Sequence, residues 1–175
     1  MELEKAIMER RSIRQFTDKP VEKEKLQELL EAAIWSPTAG NIQPWVFICV
    51  TDPKMVHNIR VVSPGMLWST SAVICICSDQ QKALRAGGKG GAVLSLFDCA
   101  MAAQNILLRA FDLGLCSCVI RSFNQAAVRE LLDAPEHIHP ELLIILGYSD
   151  QSPKPPPRNT DILFWEAFGG EGVLK

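Results

Sequence analysis

The sequence predicts an α/β or α+β chain, with helices and strands mixed along its length. Three observations carry this. Four short apolar runs have strand composition, rich in β-branched residues: WVFICV at 45–50, AVICIC at 72–77, CSCVI at 116–120 and LLIIL at 142–146. Helical periodicity lies before and between them. The chain has 175 residues, 47% of them hydrophobic, enough for a packed core and short enough for one domain spanning 1–175.

The elements follow in order. Residues 2–9 read as a short amphipathic helix with Leu3 and Ile7 on one side. Residues 22–35 form a strong helix, since Leu26, Leu29, Leu30, Ala33 and Ile34 follow the i, i+3, i+4, i+7, i+8 spacing, with Pro20 near its start and Pro37 after its end. Strand 45–50 leads to a helix over 53–61 with Pro53 in its first turn. After strand 72–77, Gly87–Gly91 (GGKGG) is expected to be a flexible loop. It lacks both the G-x-x-x-x-G-K-[ST] and the G-x-G-x-x-G phosphate patterns. A long helix over 92–112 is apolar on most sides, and Gly114 suits its C-cap. Asn124 can cap a helix running to about Leu132, and His137 and His139 are expected in a polar turn before the fourth strand. A Pro-rich strap, SPKPPPR, then precedes an aromatic tail with Phe164, Trp165 and Phe168. The apolar long helix and this tail both need covering, which points to a homodimer.

Composition excludes several classes. A formal charge of -2 leaves no basic excess for a nucleic-acid backbone. No uncharged apolar run of about 18 residues is present, so no membrane span is expected. The N-terminus lacks the apolar core of a signal peptide. The six cysteines show neither Cys-x-x-Cys nor zinc spacing, and most sit in apolar runs. They are expected to be buried reduced thiols, and this cysteine usage favours a cytoplasmic protein without a bound metal.

Three separated segments are candidates to carry chemistry, and each taken alone also reads blandly, as a solvated basic surface, an ordinary loop and a linker in turn. Arg10-Arg11-Ser12-Ile13-Arg14 places three guanidinium groups and a hydroxyl within five residues, a set able to grip an anion. Ser36 to Trp45 (SPTAGNIQPW) offers amides and hydroxyls that suit a heterocycle edge. Gly147 to Arg158 ends a strand and carries Lys154 and Arg158 on a stiff strap. No Ser/His/Asp, G-x-S-x-G or H-E-x-x-H arrangement is visible.

Together, RRSIRQF, SPTAGNIQPW, DCAMAAQNILLRAFDLGLCSCVI and LGYSDQSPKPPPR, in this order and over nearly the whole chain, resemble the nitroreductase family of flavoproteins. The resemblance implies the nitroreductase-like fold, a mixed sheet in an intertwined homodimer with FMN between the protomers. It places Arg10 and Ser12 on phosphate and ribityl, Arg11 beside them, and Arg14 near the pyrimidine. Pro37, Thr38 and Asn41 would come from the other protomer, with Gln43 close by. The backbone of Arg121 and Ser122 would face flavin N5 and O4, and Lys154 and Arg158 would close on the phosphate.

The implied activity is hydride transfer from NAD(P)H through the flavin to an electron-poor acceptor, a nitroaromatic or a quinone, in ping-pong fashion. The chemistry is then the cofactor's, which accounts for the missing protein nucleophile. The sequence departs from the family pattern in two places. Many relatives carry a small or acidic residue followed by Gly where this chain has Arg121-Ser122, and residues 61–72 lack the Lys or Arg that some members place near flavin N1. With no large insertion after the second strand, an open, shallow site is expected. Met66, Leu67 and Trp68 are candidates for its wall or for the core. Two alternatives stay open. One is a family member with another donor or reaction (ferredoxin, reduced flavin, dehalogenation, enoate reduction). The other is a non-enzymatic flavin-binding or redox-sensing protein whose Cys-x-Cys pairs oxidise.

Overall fold

The computed structural model describes residues 2–171. Its elements are α1 (Leu3–Glu9), α2 (Lys23–Ile34), a 3₁₀ turn (Ala39–Asn41), β1 (Trp45–Val50), α3 (Pro53–Val61), β2 (Ala72–Asp79), α4 (Gln80–Asp112), β3 (Cys116–Ile120), α5 (Gln125–Leu131) and β4 (Ile138–Gly147).

The four strands form one sheet in the order β1-β2-β4-β3, antiparallel throughout. Parallel pairing enters only as the isolated bridge between Ser12 and Ser117 among the described residues. The central strands β2 and β4 are buried on both faces, and their alternation divides the core in two. Ile74 and Ile76 join Ile144, Leu146, Leu26, Leu29, Ala33, Ala102 and Ile106 under α2 and α4. Val73, Cys75 and Cys77 join Leu143, Ile145, Cys118, Ile120, Val56, Ile59 and Val128 under α3 and α5. Arg109 links the α2 carboxylate Glu28 to Asp112, and Lys25 donates to the Leu113 carbonyl at the end of α4 (3.0 Å).

Two expectations are corrected. The stretch expected to be a GGKGG loop lies inside α4, which starts at Gln80 directly after β2. The Asp79 carboxylate caps it by accepting from the Lys82 N–H (2.8 Å), and the glycines leave a single break at Gly88 (φ 58°, ψ -149°). The fourth strand starts at Ile138, so His139 is paired opposite Ser78 within the sheet. Pro140 masked this in the sequence, because proline cannot donate to a ladder. A bulge accommodates it. Ile76 pairs with Leu142 and Cys77 with Pro140, which leaves Glu141 as the extra residue.

α4 alone among the described helices is long and apolar enough to cross a membrane by length and composition. It packs on the sheet instead, burying Cys99, Ala102, Ala103, Ile106 and Ala110. Its outer face keeps Val93, Leu94, Leu96, Phe97 and Met101 exposed.

Candidate functional site

α1 ends at Glu9, and the extended segment after it runs along the outer edge of β3. The Ser12–Ser117 bridge and the bond from the Ile13 N–H to the Ser117 carbonyl (3.0 Å) fix that course. Because the pairing is parallel, Arg10 lies at the start of β3 and Arg14 further toward its end. Ile13 is buried and anchors the run, while Ser12 and Arg14 are exposed.

Glu9, Arg10 and Arg11 line a cleft with Phe111, Leu115, Ser117 and Gln151–Pro153 of the strap. Tyr148 holds the strap's start: its hydroxyl donates to Glu22 (2.5 Å) and accepts from Lys25 (2.8 Å), and its carbonyl accepts from the Thr17 N–H (2.7 Å). Lys154 follows Pro153 and is exposed. Arg158 lies near enough to act on Arg10. The Arg10 guanidinium is pushed below its ordinary value, chiefly by burial, next by Arg11, and further by Arg158. Buried Nη1 of Arg10 and Nε of Arg11 have no hydrogen-bond partner. Arg11 Nη1 donates to the Arg10 carbonyl (2.6 Å), but a buried guanidinium nitrogen without an acceptor, next to a second cation, is costly, and an anion in this cleft removes that cost.

The far end of β3 is also open. The Arg121 carbonyl accepts from the Phe123 N–H (3.1 Å) and the Ser122 carbonyl from the Gly65 N–H (3.0 Å). Among the described residues, the N–H groups of Arg121 and Ser122 donate to no backbone group outside the sheet ladder. Gly65 packs tightly here, since a Cβ on it would lie 2.7 Å from Ile120 Cγ2. Of the three wall candidates, Met66 is core, whereas Leu67 and Trp68 are exposed. From Ser117 to Arg121 the strand spans about 13 Å at ~3.3 Å per residue, with the cationic cleft at one end and free backbone donors at the other.

The SPTAGNIQPW segment lies elsewhere within the chain. The Ala39 N–H donates to buried Asp98 (3.0 Å), and Lys82 donates to the Gln43 carbonyl (3.0 Å). Asp98 is roughly 20 Å up α4 from Phe111 at 1.5 Å rise per residue, so Pro37, Thr38, Asn41 and Gln43 do not meet Arg10 within one copy. The loop is internally tied: the Gln43 N–H donates to Thr38 Oγ1 (3.1 Å) and Gln43 Nε2 to Asn41 Oδ1 (2.9 Å). Asn41 (φ 54°) and Gln43 (φ 53°) both hold left-handed backbone, a costly conformation that collects at functional sites.

Sequence reasoning missed Glu141. Its side chain is buried among polar groups, accepting from the Ser78 hydroxyl (2.7 Å) and the Gln125 amide (3.4 Å), with Arg121 Nη2 3.9 Å away. The one signal for it was a carboxylate between Pro140 and an apolar run. The six cysteines are free thiols. Cys75 and Cys77 are fully buried with their sulfurs 3.5 Å apart, and that contact and burial push the Cys75 thiol well up. Burial of this kind opposes oxidation of the pair by solvent reagents.

A four-stranded antiparallel sheet covered by helices, with a cationic cleft along one edge, defines an α+β protein. The nitroreductase family model matches residues 7–63 and 55–148, and the chain belongs to that family. An Archaeoglobus fulgidus protein with the provisional name NADH dehydrogenase/NAD(P)H nitroreductase is 37% identical over 150 residues, covering 82% of this chain and 83% of its own. The FMN reductase (NADPH) of Bacillus subtilis is 28% identical, over 81% of this chain and 64% of its own length. The FMN-dependent nitroreductase of Clostridium difficile R20291 superposes with a TM-score of 0.81 at 29% identity, over 93% and 98% of the two chains.

Proposed function

We propose that this chain is an FMN-dependent oxidoreductase that takes a hydride from NAD(P)H and passes electrons to an electron-poor small molecule, such as a nitroaromatic or a quinone. The observation that carries the reading is the buried, unpartnered Arg10 Nη1, in a cleft that Arg11 also lines and near enough to Arg158 to feel its charge. That donor set fits a phosphate dianion. Arg10, Arg158 and the neighbouring Lys154 hold the phosphate, with Arg11 beside them and Ser12 on the ribityl chain. Arg14, further along the same edge, supplies positive charge near the pyrimidine, which favours the reduced, anionic cofactor. The N–H groups of Arg121 and Ser122 serve the N5 and O4 edge. FMN itself supplies the hydride and electron chemistry when bound. The FMN and NAD(P)H in the names of the similar proteins support the same reading.

The working unit in this proposal is a homodimer. Pro37, Thr38, Asn41 and Gln43 are too far from Arg10 to complete its site in one copy, so they complete the site of a second. The exposed face of α4 (Val93, Phe97, Met101) is the surface that joins the copies. Donor and acceptor share one face of the cofactor in turn, giving ping-pong kinetics. The test is anaerobic titration of the FMN-loaded protein with NADH and with NADPH. Bleaching of the flavin band by either is expected. A protein that binds no FMN, or whose flavin neither nucleotide reduces, refutes the proposal.

A further inference from the structure

The side chain of Arg121 has no part in the reading above, which uses only its backbone. β3 is an edge strand, and period-two alternation puts Arg121 on the same face as Val119, opposite the core residues Cys118 and Ile120. Ser117 on that face is buried, but toward the end of the strand the face opens: Val119 is exposed, and the Arg121 side chain is 55% exposed.

One edge of the guanidinium is anchored. Nη2 lies 3.9 Å from the buried Glu141 carboxylate, and the group sits 5.5 Å from the Phe123 ring centroid. The carboxylate is engaged mainly elsewhere, by Ser78 and Gln125. Arg121 is therefore oriented without being consumed. At 3.9 Å the contact with Glu141 is an ion pair and too long for a hydrogen bond, so none of its five N–H donors has a hydrogen-bond acceptor among the described residues. The β-bulge that displaces Glu141 from the ladder is the device that aims this anchor.

The half-buried Phe123 ring, 5.5 Å away, gives the guanidinium an apolar neighbour. Val119 shares the strand face of Arg121 two residues back. Exposed Leu67 and Trp68 follow Gly65 and Met66, in the loop whose Gly65 N–H bonds the Ser122 carbonyl. A planar donor fork beside apolar walls matches an aromatic ring bearing a carboxylate.

We infer that Arg121, seated by Glu141, makes the acceptor site select for aromatic compounds carrying a carboxylate. This rests on the proposed FMN site, because Arg121 then stands at the edge of the cofactor where an acceptor must lie. The guanidinium of Arg121 is the specificity-determining group, and Glu141 is a positioning residue.

The experiment measures dissociation constants of benzoate and benzamide from the oxidised, FMN-loaded protein, read from the perturbation of flavin absorption without turnover. The parent is expected to prefer benzoate. Arg121→Gln is expected to lower the benzoate-to-benzamide preference about tenfold, the ratio one charge-assisted hydrogen bond supplies. Arg121→Lys keeps the charge but not the fork, and falls between the two. Because the ratio is internal to each protein, a general loss of fold or of flavin cancels. An FMN-loaded Arg121→Gln protein with the parent's ratio overturns this inference and leaves the functional reading standing. A parent that takes up no FMN overturns the functional reading, and this inference with it.

Discussion

Arg158, beyond the Pro-rich strap, sits close enough to Arg10, at the end of the first helix, to disfavour its charged state. Arg10 thus carries two costs, repulsion from other cations and a buried Nη1 without a hydrogen-bond partner in the cleft it lines with Arg11. A shared anion resolves both costs at once. Arg10→Ala and Arg158→Ala are each expected to weaken FMN binding 10- to 100-fold, from ~1.5–3 kcal/mol per charge-assisted hydrogen bond. Quenching of FMN fluorescence on titration measures it. Unchanged affinity in both variants removes these residues from the phosphate site.

Phe97 projects from α4 with 58% of its surface exposed, flanked at helical spacing by Val93 and Met101. Phe97→Glu puts a charge in the middle of that apolar face. The expected outcome is a monomer by sedimentation, with FMN affinity reduced at least about tenfold, as Pro37, Thr38, Asn41 and Gln43 leave the neighbouring copy's site. A monomer that keeps the parent's FMN affinity shows that one copy forms a whole site.

Much of this organisation was legible in the sequence, for identifiable reasons. The β1 and β3 boundaries matched because each run is short, apolar and bounded by turn formers, and α3 matched because Asp52 and Pro53 mark its start. The RRSIR segment was legible as a cluster of cations, and the cleft that Arg10 and Arg11 line comes from packing against Phe111, Leu115 and the strap. The N-terminal part of α4 was not legible. Four glycines between 87 and 91 spell a loop locally, and only the Asp79 cap and packing after β2 carry the helix through them. Glu141 was hidden for a related reason. Its burial depends on Ser78, Gln125 and Arg121 from three other parts of the chain, and no local pattern brings them together.

Tyr148 joins the strap to α2 through Glu22, and this contact carries a pH signature. The Glu22 carboxyl is held down to about 2 from an ordinary 4.5, first by the Tyr148 hydroxyl and then by its own backbone, with Lys19 and Lys25 adding to it. A depressed carboxyl contributes stability that is fully present above its unfolded value and is lost as pH falls through its folded value. The parent's advantage over Glu22→Gln is therefore expected to be constant above about pH 5, and to fade between the ordinary 4.5 and about 2. Urea unfolding of both proteins across that range measures it. A difference that persists unchanged at pH 2 contradicts the assignment.

Gly65 sets the position of the open backbone donors at the end of β3. Its N–H holds the Ser122 carbonyl (3.0 Å), and a Cβ at this residue would lie 2.7 Å from Ile120 Cγ2 and 3.3 Å from Ser122 Cβ. Ile120 is core and cannot swing into solvent, so the strain in Gly65→Ala must move the loop or the strand end. The expected cost is about 1–3 kcal/mol of stability, typical of overpacking. FMN affinity should fall as well, since Ser122 and its N–H shift with the loop. Ile120→Ala removes the clashing methyl at the cost of a cavity. If the clash is the cause, the double variant is more stable than the sum of the single effects predicts, and it regains FMN affinity relative to Gly65→Ala. Additive stability changes across this cycle place the cost elsewhere, and an unaltered FMN affinity in Gly65→Ala separates Ser122 from the cofactor.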